Sequence, residues 1–454
     1  MRLGIAFLVL VLAWAPARAA EEAPPPAHAE SSRLAYAFLR NLCDDFGGRL
    51  TGGAANRGAM QALAAELASL GLKPEFQTFS MPGWERGVDS VALVEPFARP
   101  LRVASLAYTN PTAPFEAEVV DVAGGRSEDY PSGSQGKVAL LAPSSALHIH
   151  EIVKNGKDRG VRAILYINRE AGGQLLARTG SFQGGALPFP LLSITQEEGF
   201  WLQRLLARKV SVKVKIETTS RCREIETANL RVRIPGRSSD TVIVGAHFDS
   251  WDLGQGAMDN GLGIAQLLAL AHLMRDRDLL RTVELIWFNG EEQGLWGSRH
   301  AARQLDNAPI VAMINLDMVG VPIAVNALGD ESSVPALERF HNGRKERLPL
   351  GVQNVNWFGS DHTPYQLAGV RAITFNAPID RASVRYYHDL ADTIDKLPEK
   401  VVVDSTATIG DLVLALANDP KIEAFRRTSD KTEALFTRFG IDRRVRDAGL
   451  WPFR

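Results

Sequence analysis

The feature that most constrains the fold is a regular alternation of apolar strands and amphipathic helices from about residue 229 onward. The stretches TVIVGAH, TVELIWFNG and APIVAMINLDM are apolar along nearly their whole length, and helical patterns such as GIAQLLALAHLMRD separate them. Strands without a polar face need cover on both sides of their sheet. The pattern therefore predicts an α/β fold with a mixed, mostly parallel sheet flanked by helices.

The remaining composition divides the 454 residues into further segments. Between about residues 90 and 220, short β-rich runs separated by Gly, Pro and Ser turns interrupt the pattern, which predicts a β-rich domain inserted into a catalytic domain. The mixed-charge tail is expected to form a solvated surface helix. The expected order is signal peptide, disordered lead-in, first catalytic part, insert, main catalytic part and tail, at residues 1–19, 20–30, 31–89, 90–220, 221–420 and 421–454.

The first twenty residues predict export. Arg2 is followed by the apolar run IAFLVLVLAWA and by Ala17-Arg18-Ala19, which places small residues at the two positions of a cleavage site. The apolar run is shorter than the roughly 20 residues that a membrane span needs. We therefore expect a secreted or periplasmic protein that begins near Ala20 and keeps no stable membrane anchor after signal removal.

Charge and cysteine content restrict the partners only weakly. The net charge of −1 gives no reason to expect nucleic acid or an anionic membrane surface as a partner. An oxidising compartment permits a disulfide between Cys43 and Cys222, but the sequence leaves open whether they are bonded. It also leaves open whether the chain is a monomer or a homodimer.

Metal-competent side chains follow the strands of the predicted sheet. The carboxyl ends of parallel strands meet at one edge of a sheet, where ligands bind. One further carboxylate precedes a helix, whose N-terminus favours an anion. Two histidines and four carboxylates are therefore expected at this edge: His247, Asp259, Glu291, Glu292, Asp317 and His388.

These side chains suit a pair of zinc ions. Imidazole and carboxylate ligands without thiolate favour zinc, and a catalytic zinc takes about three protein ligands. We expect two Zn²⁺ ions per subunit, bridged by Asp259. Taken in sequence order, His247 and Glu292 are expected to bind one ion, and Asp317 and His388 the other. Two such cations, roughly 3.5–4 Å apart, would deprotonate a shared water near neutral pH.

Three more residues have expected roles in catalysis. Glu291 is adjacent to a ligand but unassigned, and so it is the candidate general base. Asp249 lies two residues after His247 and is expected to orient its imidazole, although a plain turn residue is the alternative. Tyr387 could donate a hydrogen bond to a tetrahedral oxyanion, with a packed aromatic as an equal alternative.

Five motifs resemble those of the two-zinc exopeptidase family, which includes secreted bacterial aminopeptidases and carboxypeptidase Q: HFDSWDLGQGAMDNGLG, NGEEQGLWGS, NLDMVG, FGSDHTPY and YYHDLADT. The likeness covers most of residues 30–420, and the insert resembles a protease-associated domain. The resemblance implies that Glu291 is the base and that the other five residues at the sheet edge bind the metals. The first motif is most similar to carboxypeptidase Q, whereas NLDMVG and SDHTPY are more similar to the aminopeptidases.

We therefore expect a secreted zinc-dependent exopeptidase that hydrolyses dipeptides or short peptides by a metal-bridging hydroxide with a Glu general base. It would be an aminopeptidase or a carboxypeptidase Q-like dipeptidase. A glutaminyl-cyclase-like aminoacyltransferase, which typically uses one zinc, is one alternative. A catalytically silent binding ectodomain, which would lack ligands, is another. The complete ligand set disfavours both.

The other polar clusters are weaker candidates. His148 and His150 have ligand-like spacing on an expected strand, but no acidic partner is expected near them. Asp361 and His362 are expected to line the substrate pocket without an assigned role. The insert carries none of the expected ligands, and so we expect it to cover the metal rim and select substrates without supporting the metals.

Overall fold

The computed structural model describes residues 26–305, 308–378 and 385–453. The predicted signal peptide, residues 1–19, lies outside the described residues, as do residues 20–25 of the predicted lead-in. The helices are α1 Pro26–Asn41, α2 Ala54–Ser69, α3 Ile149–Asp158, α4 Gln196–Ala207, α5 Leu262–Met274, α6 Trp296–Arg303, α7 Val334–Asn342, α8 His362–Leu367, α9 Glu399–Asn418, α10 Ser429–Arg438 and α11 Asp442–Asp447.

The sixteen strands of the described residues form two sheets of eight strands each. The strands are β1 Glu75–Glu85, β2 Asp89–Glu95, β3 Arg99–Leu101, β4 Val103–Ser105, β5 Thr112–Asp121, β6 Val138–Leu141, β7 Ala163–Ile167, β8 Leu191–Ile194, β9 Lys213–Thr218, β10 Arg221–Ile234, β11 Ser238–His247, β12 Arg281–Phe288, β13 Ile310–Asn315, β14 Ala324–Asn326, β15 Val352–Gln353 and β16 Ala372–Asn376.

The main sheet has the strand order β1-β10-β12-β11-β13-β16-β14-β15. Its four central strands, from β12 to β16, run parallel, while β10 and β14 flank them in antiparallel orientation. Val242 and Val244 of β11 pack in one core with Leu267 of α5, whereas Ile243 packs in another with Tyr365 of α8. Both faces of β11 are thus covered, which explains its continuous apolar sequence. The predicted mixed, mostly parallel α/β fold is confirmed.

Residues 89–218 form the second sheet, in the order β3-β2-β9-β5-β6-β7-β8-β4. This part has its own apolar core, which includes Leu140, Leu165 and Leu192, and it also contains α3 and α4. The strand expected around His148 and His150 is wrong, because α3 begins at Ile149 with His148 as its N-cap. The interpretation of this insert as a protease-associated domain stays a prediction.

Helix α1 begins earlier than the sequence suggested. The disordered lead-in expected at residues 20–30 is wrong from Pro26 onward, because α1 already starts there. A proline in the first turn lacks only an N–H group that would have no helical partner. The serine at position 31 is buried, and its Oγ lies 2.9 Å from His272 Nδ1 on α5. Tertiary contacts therefore order a segment whose composition indicated disorder.

The C-terminal tail is packed against the catalytic domain. The expectation of a solvated surface helix is wrong, because Phe436 of α10 and Val445 of α11 are fully buried. They share an apolar cluster with Leu295 and Phe358, which lie in loops of the catalytic domain. The amphipathic pattern of the tail thus reflects a packed inner face.

Two further features of the fold bear on compartment and redox state. Within the ranges that the structure describes, α9 has the length and hydropathy to cross a membrane, but 61% of its apolar window is buried in the protein. That burial is typical of a core helix.

Cys43 and Cys222 are free thiols. Burial raises the pKa of Cys43 to about 12, which suppresses its reactive thiolate form.

Candidate metal centre

Three parallel strands position the first part of the centre. His247 is the last residue of β11 and lies beside Phe288, the last residue of β12. Glu292 follows the end of β12 by four residues, and Asp317 follows the end of β13 by two. Because these strands are neighbours in the sheet, their polar side chains reach one rim.

Asp259 lies between two groups of side chains. Its Oδ1 is 3.1 Å from His247 Nε2, and the same nitrogen is 3.5 Å from Asp317 Oδ1. Its Oδ2 is 3.0 Å from His388 Nε2, which is also 3.0 Å from Glu292 Oε2. The five side chains therefore form two ligand sets that share one carboxylate.

The pairing expected from chain order is wrong. The structure groups His247 with Asp317, and His388 with Glu292. The reason is the strand order: β12 and β13 lie on opposite sides of β11, which places Glu292 and Asp317 on opposite sides of His247. The sequence gives the strand ends but does not give this lateral order.

The donor atoms fit cations in both sets. His247 Nδ1 lies 3.0 Å from the carbonyl oxygen of Asp249 and donates to it, so Nε2 directs a lone pair toward two carboxylates. Such a contact needs a proton or a metal ion between the atoms. Glu292 Oε1 is buried and has no hydrogen-bond partner in the described part of the chain. Imidazole and carboxylate donors of this kind match the preferences of zinc.

The pKa values reflect the crowding of carboxylates. Burial alone would lower the pKa of His247, but the carboxylates around it, Glu291 foremost, raise it well above its usual value. Burial likewise opposes the charge of His388, yet Glu292 and Asp259 raise its pKa to about 9. Burial raises the pKa of Glu292 to about 7. Both imidazoles thus lie in a strongly negative field that also favours a metal cation.

Asp249 contacts both His247 and the turn after β12. Its carboxylate is 3.9 Å from His247 Nδ1, too far for a hydrogen bond, and its backbone carbonyl accepts the imidazole proton instead. The carboxylate accepts the backbone N–H groups of Glu291 and Glu292, at 3.1 and 3.3 Å. Asp249 therefore contacts the imidazole through its backbone carbonyl, and its carboxylate holds the turn that carries Glu291 and Glu292.

Glu291 and Tyr387 both line the cavity beside the two sets. Burial, followed by the charges of Asp317 and Glu292, raises the pKa of Glu291 well above its usual value. Its proposed role as base stays a prediction. Tyr387 is 44% exposed, and its ring stacks on His388 with the centroids 3.6 Å apart. Its proposed role as an oxyanion donor also stays a prediction.

Two further residues, which were not predicted from the sequence, support the centre. Arg49 is fully buried and donates to the carbonyl groups of Phe248, Gln255 and Gly256, which fixes the loop before Asp259. The carboxylate at position 392 accepts the backbone N–H groups of residues 258 and 259, at 2.8 and 3.0 Å. It belongs to the quoted motif YYHDLADT, which was a usable signal. For Arg49, the sequence offered no signal other than the glycines on either side of it.

The insert supports the centre directly, contrary to the expectation. The backbone N–H of Ala177 donates to the carbonyl of His388 at 2.9 Å, and that of Leu175 donates to the Asp389 carboxylate at 2.6 Å. His388 has a φ of 56°, a strained value for a residue other than glycine. The insert backbone therefore helps to hold one expected ligand in this conformation. It also contributes Arg178 and Phe182 to a cavity of about 710 Å³ above the centre.

Asp361 and His362 do not line this cavity, so that expectation is wrong. Both side chains are fully buried at the start of α8. Burial raises the pKa of Asp361 to about 7 and lowers that of His362 to about 4. His362 Nε2 donates to the carbonyl of Trp357 at 2.9 Å, which fits a neutral imidazole. The helix α8 thus buries both groups behind the site.

The lowered pKa of His362 predicts an acid-dependent loss of stability. The folded protein keeps this imidazole neutral down to about pH 4, whereas the unfolded chain binds a proton below about pH 6.5. Stability is therefore lost as pH falls through 6.5. Between pH 6.5 and 5 the loss is about 2 kcal/mol of unfolding free energy. Urea unfolding at both pH values, with chelator throughout, should show this loss in the wild type and a smaller one in His362→Gln. An equal loss of unfolding free energy in the wild type and in His362→Gln would show that His362 is not the group responsible.

The chain is similar in sequence and in fold to known peptidases. Residues 229–415 match the sequence profile of peptidase family M28. Aminopeptidase YwaD of Bacillus subtilis is 26% identical over 401 residues, which cover 85% of this chain and 84% of that protein. Human carboxypeptidase Q is 25% identical over 284 residues, which cover 59% of this chain and 60% of that protein. A zinc aminopeptidase structure from B. subtilis superposes with a TM-score of 0.71 at 21% identity, over 88% of this chain and 98% of that one.

The fold and the site together define a metallo-exopeptidase, a hydrolase of peptide bonds. Residues 229–415, which match the profile of peptidase family M28, include β11, β12, β13 and all five expected metal ligands.

Proposed function

We propose that the protein is a secreted or periplasmic zinc aminopeptidase that removes single residues from the free amino end of short peptides. The proposal rests on the distribution of charge in the metal cavity. Carboxylates concentrate at the metal end, whereas Arg178, the one arginine or lysine among the described lining residues, lies where this cavity meets a second one. A peptide whose ammonium group faces the carboxylates would direct its carboxyl end toward Arg178.

Two zinc ions per subunit are proposed, one in each ligand set with Asp259 between them. When bound, such ions polarise the scissile carbonyl and acidify the attacking water. Glu291 would accept the proton of that water and return it to the leaving amine, because it lines the cavity without belonging to either set. Tyr387, whose ring stacks on His388, would donate to the oxyanion.

The relatives bear on which end of the peptide is recognised. YwaD and the B. subtilis structure are both named aminopeptidases, and the latter is named a zinc enzyme. Carboxypeptidase Q matches over a shorter part of the chain.

Export is proposed from the N-terminal signal pattern alone. Short peptides are the proposed substrates. Neither nucleic acid nor a membrane is a proposed partner. The homodimer named among the expectations stays a prediction.

Blocked and free peptides provide the test. The cavity is lined by Met318, Trp357 and Phe375, so leucine is a suitable first residue. We expect the purified protein to hydrolyse leucine p-nitroanilide and Leu-Gly-amide but not N-acetyl-Leu-Gly. Chelator should abolish the activity, and added zinc should restore it. Hydrolysis of N-acetyl-Leu-Gly, without hydrolysis of the other two substrates, would instead make the enzyme a carboxypeptidase.

A further inference from the structure

A second cavity of about 750 Å³ adjoins the metal cavity. The two share five lining residues: Arg178, Phe182, Trp357, Gly359 and Tyr387. The second cavity is formed by α3 of the insert, a loop around residues 180–188, and α11 of the tail. It therefore continues the substrate cleft away from the metal centre and depends on both the insert and the tail.

The lining of the second cavity is predominantly cationic. Arg178, Lys157 and Arg444 each lack a hydrogen bond or ion pair from the side chain within the described ranges. His148 and His150 add imidazoles to the same wall, with their rings 6.0 Å apart. Among the described residues the Arg178, Lys157 and Arg444 side chains have no ionic partner, and all three line the cavity.

Within the described part of the chain, few negatively charged side chains line the second cavity. The carboxylate that lines this cavity, Asp447, lies 3.5 Å from His150 Nε2 and 3.7 Å from Arg443 Nε. This contact also corrects the expectation that the histidine pair has no acidic partner nearby, because the partner comes from the distant tail. Lys154 is paired with Asp158 on its own helix. Lys157 and Arg444 therefore remain available for an anionic ligand.

The floor of the cavity is apolar. Val153, Leu187 and Phe358 line it, and the guanidinium of Arg444 lies 5.6 Å from the ring centroid of Phe358. A volume of this size falls in the range of about 300–1,000 Å³ that is usual for ligand sites. An apolar floor with a cationic rim suits a peptide backbone that carries carboxylate side chains.

We propose that the second cavity binds the carboxyl-terminal part of the peptide substrate and favours acidic residues there. The inference deepens the proposed aminopeptidase function and rests on it. A peptide held with its amino end at the metal centre passes Arg178 and then reaches Lys157 and Arg444. The preferred substrates are therefore expected to be longer peptides with acidic residues beyond the cleaved bond.

Matched pentapeptide amides test the proposal. Leu-Gly-Gly-Asp-Asp-amide and Leu-Gly-Gly-Asn-Asn-amide differ only in the two charges. We expect kcat/KM to be about threefold to tenfold higher for the acidic peptide at low salt, since each exposed ion pair contributes little. The ratio should approach one in 0.5 M NaCl because salt screens exposed charges. The double variant Lys157→Gln/Arg444→Gln should lower the ratio, whereas Lys73→Gln/Arg208→Gln, which removes two exposed charges outside the cavity, should keep it.

The possible outcomes distinguish a failure of the acidic-subsite proposal from a failure of the aminopeptidase proposal. Leucine p-nitroanilide carries no acidic residue, so the wild-type rate on it reports the aminopeptidase function alone. Equal wild-type rates on the two pentapeptides, with normal hydrolysis of the p-nitroanilide, would overturn the acidic subsite. A preference that both double variants lose equally would also overturn it. No hydrolysis of the p-nitroanilide would overturn the aminopeptidase proposal itself.

Discussion

Replacement of Asp259 by alanine is expected to remove zinc from both ligand sets and to reduce peptidase activity to background. Each oxygen of this carboxylate faces a different histidine, at 3.1 and 3.0 Å, and so one substitution withdraws a donor from two sites. The loss of zinc affinity should exceed the roughly 10–100-fold that removal of an outer supporting group costs. Zinc content after dialysis, measured by plasma mass spectrometry, reports the effect.

A matched control keeps this result interpretable. Asp276→Ala removes a carboxylate that is exposed at the surface and belongs to neither ligand set, and so it should leave zinc content and activity unchanged. Thermal unfolding of both variants without metal distinguishes loss of ligands from loss of fold. An Asp259→Ala protein that retains two tightly held zinc ions would refute the shared carboxylate.

The second large effect concerns Glu291. The isosteric change Glu291→Gln should keep both metals and lower kcat at least about a hundredfold, the scale of a missing general base. The backbone N–H of residue 291 still donates to Asp249 in this variant, so the turn is retained. Zinc content and kcat, measured on the same preparation, provide the test. Glu331→Gln, at an exposed position, is the control.

Loss of zinc together with activity would make Glu291 a metal ligand. A kcat within about tenfold of the wild type would instead remove it from the role of base. Either result would require a different residue for proton transfer.

The strand ends were predictable because their signals are local. The apolar runs before His247 and Glu291 define buried strands, and parallel strands end at one edge. The five expected ligands therefore could be placed together without knowledge of the lateral strand order. Their pairing could not, because it depends on β12 and β13 flanking β11.

Contacts between distant segments were not predictable from the sequence. Arg49 fixes the loop before Asp259 through backbone carbonyls, which leave no trace in residue type. Ala177 of the insert supports His388 through a backbone hydrogen bond for the same reason. The tail contributes Asp447 to a wall of the insert across nearly 300 residues of chain. Such contacts arise from packing, whereas the periodicity of a sequence reports only which face of an element is buried.

Anomalous diffraction at the zinc edge, from crystals of the full-length protein grown with zinc, tests the shared metal centre most directly. Two peaks are expected, one among His247, Asp259 and Asp317 and the other among Asp259, Glu292 and His388. A single peak, or two peaks with Asp259 beside only one of them, would contradict it.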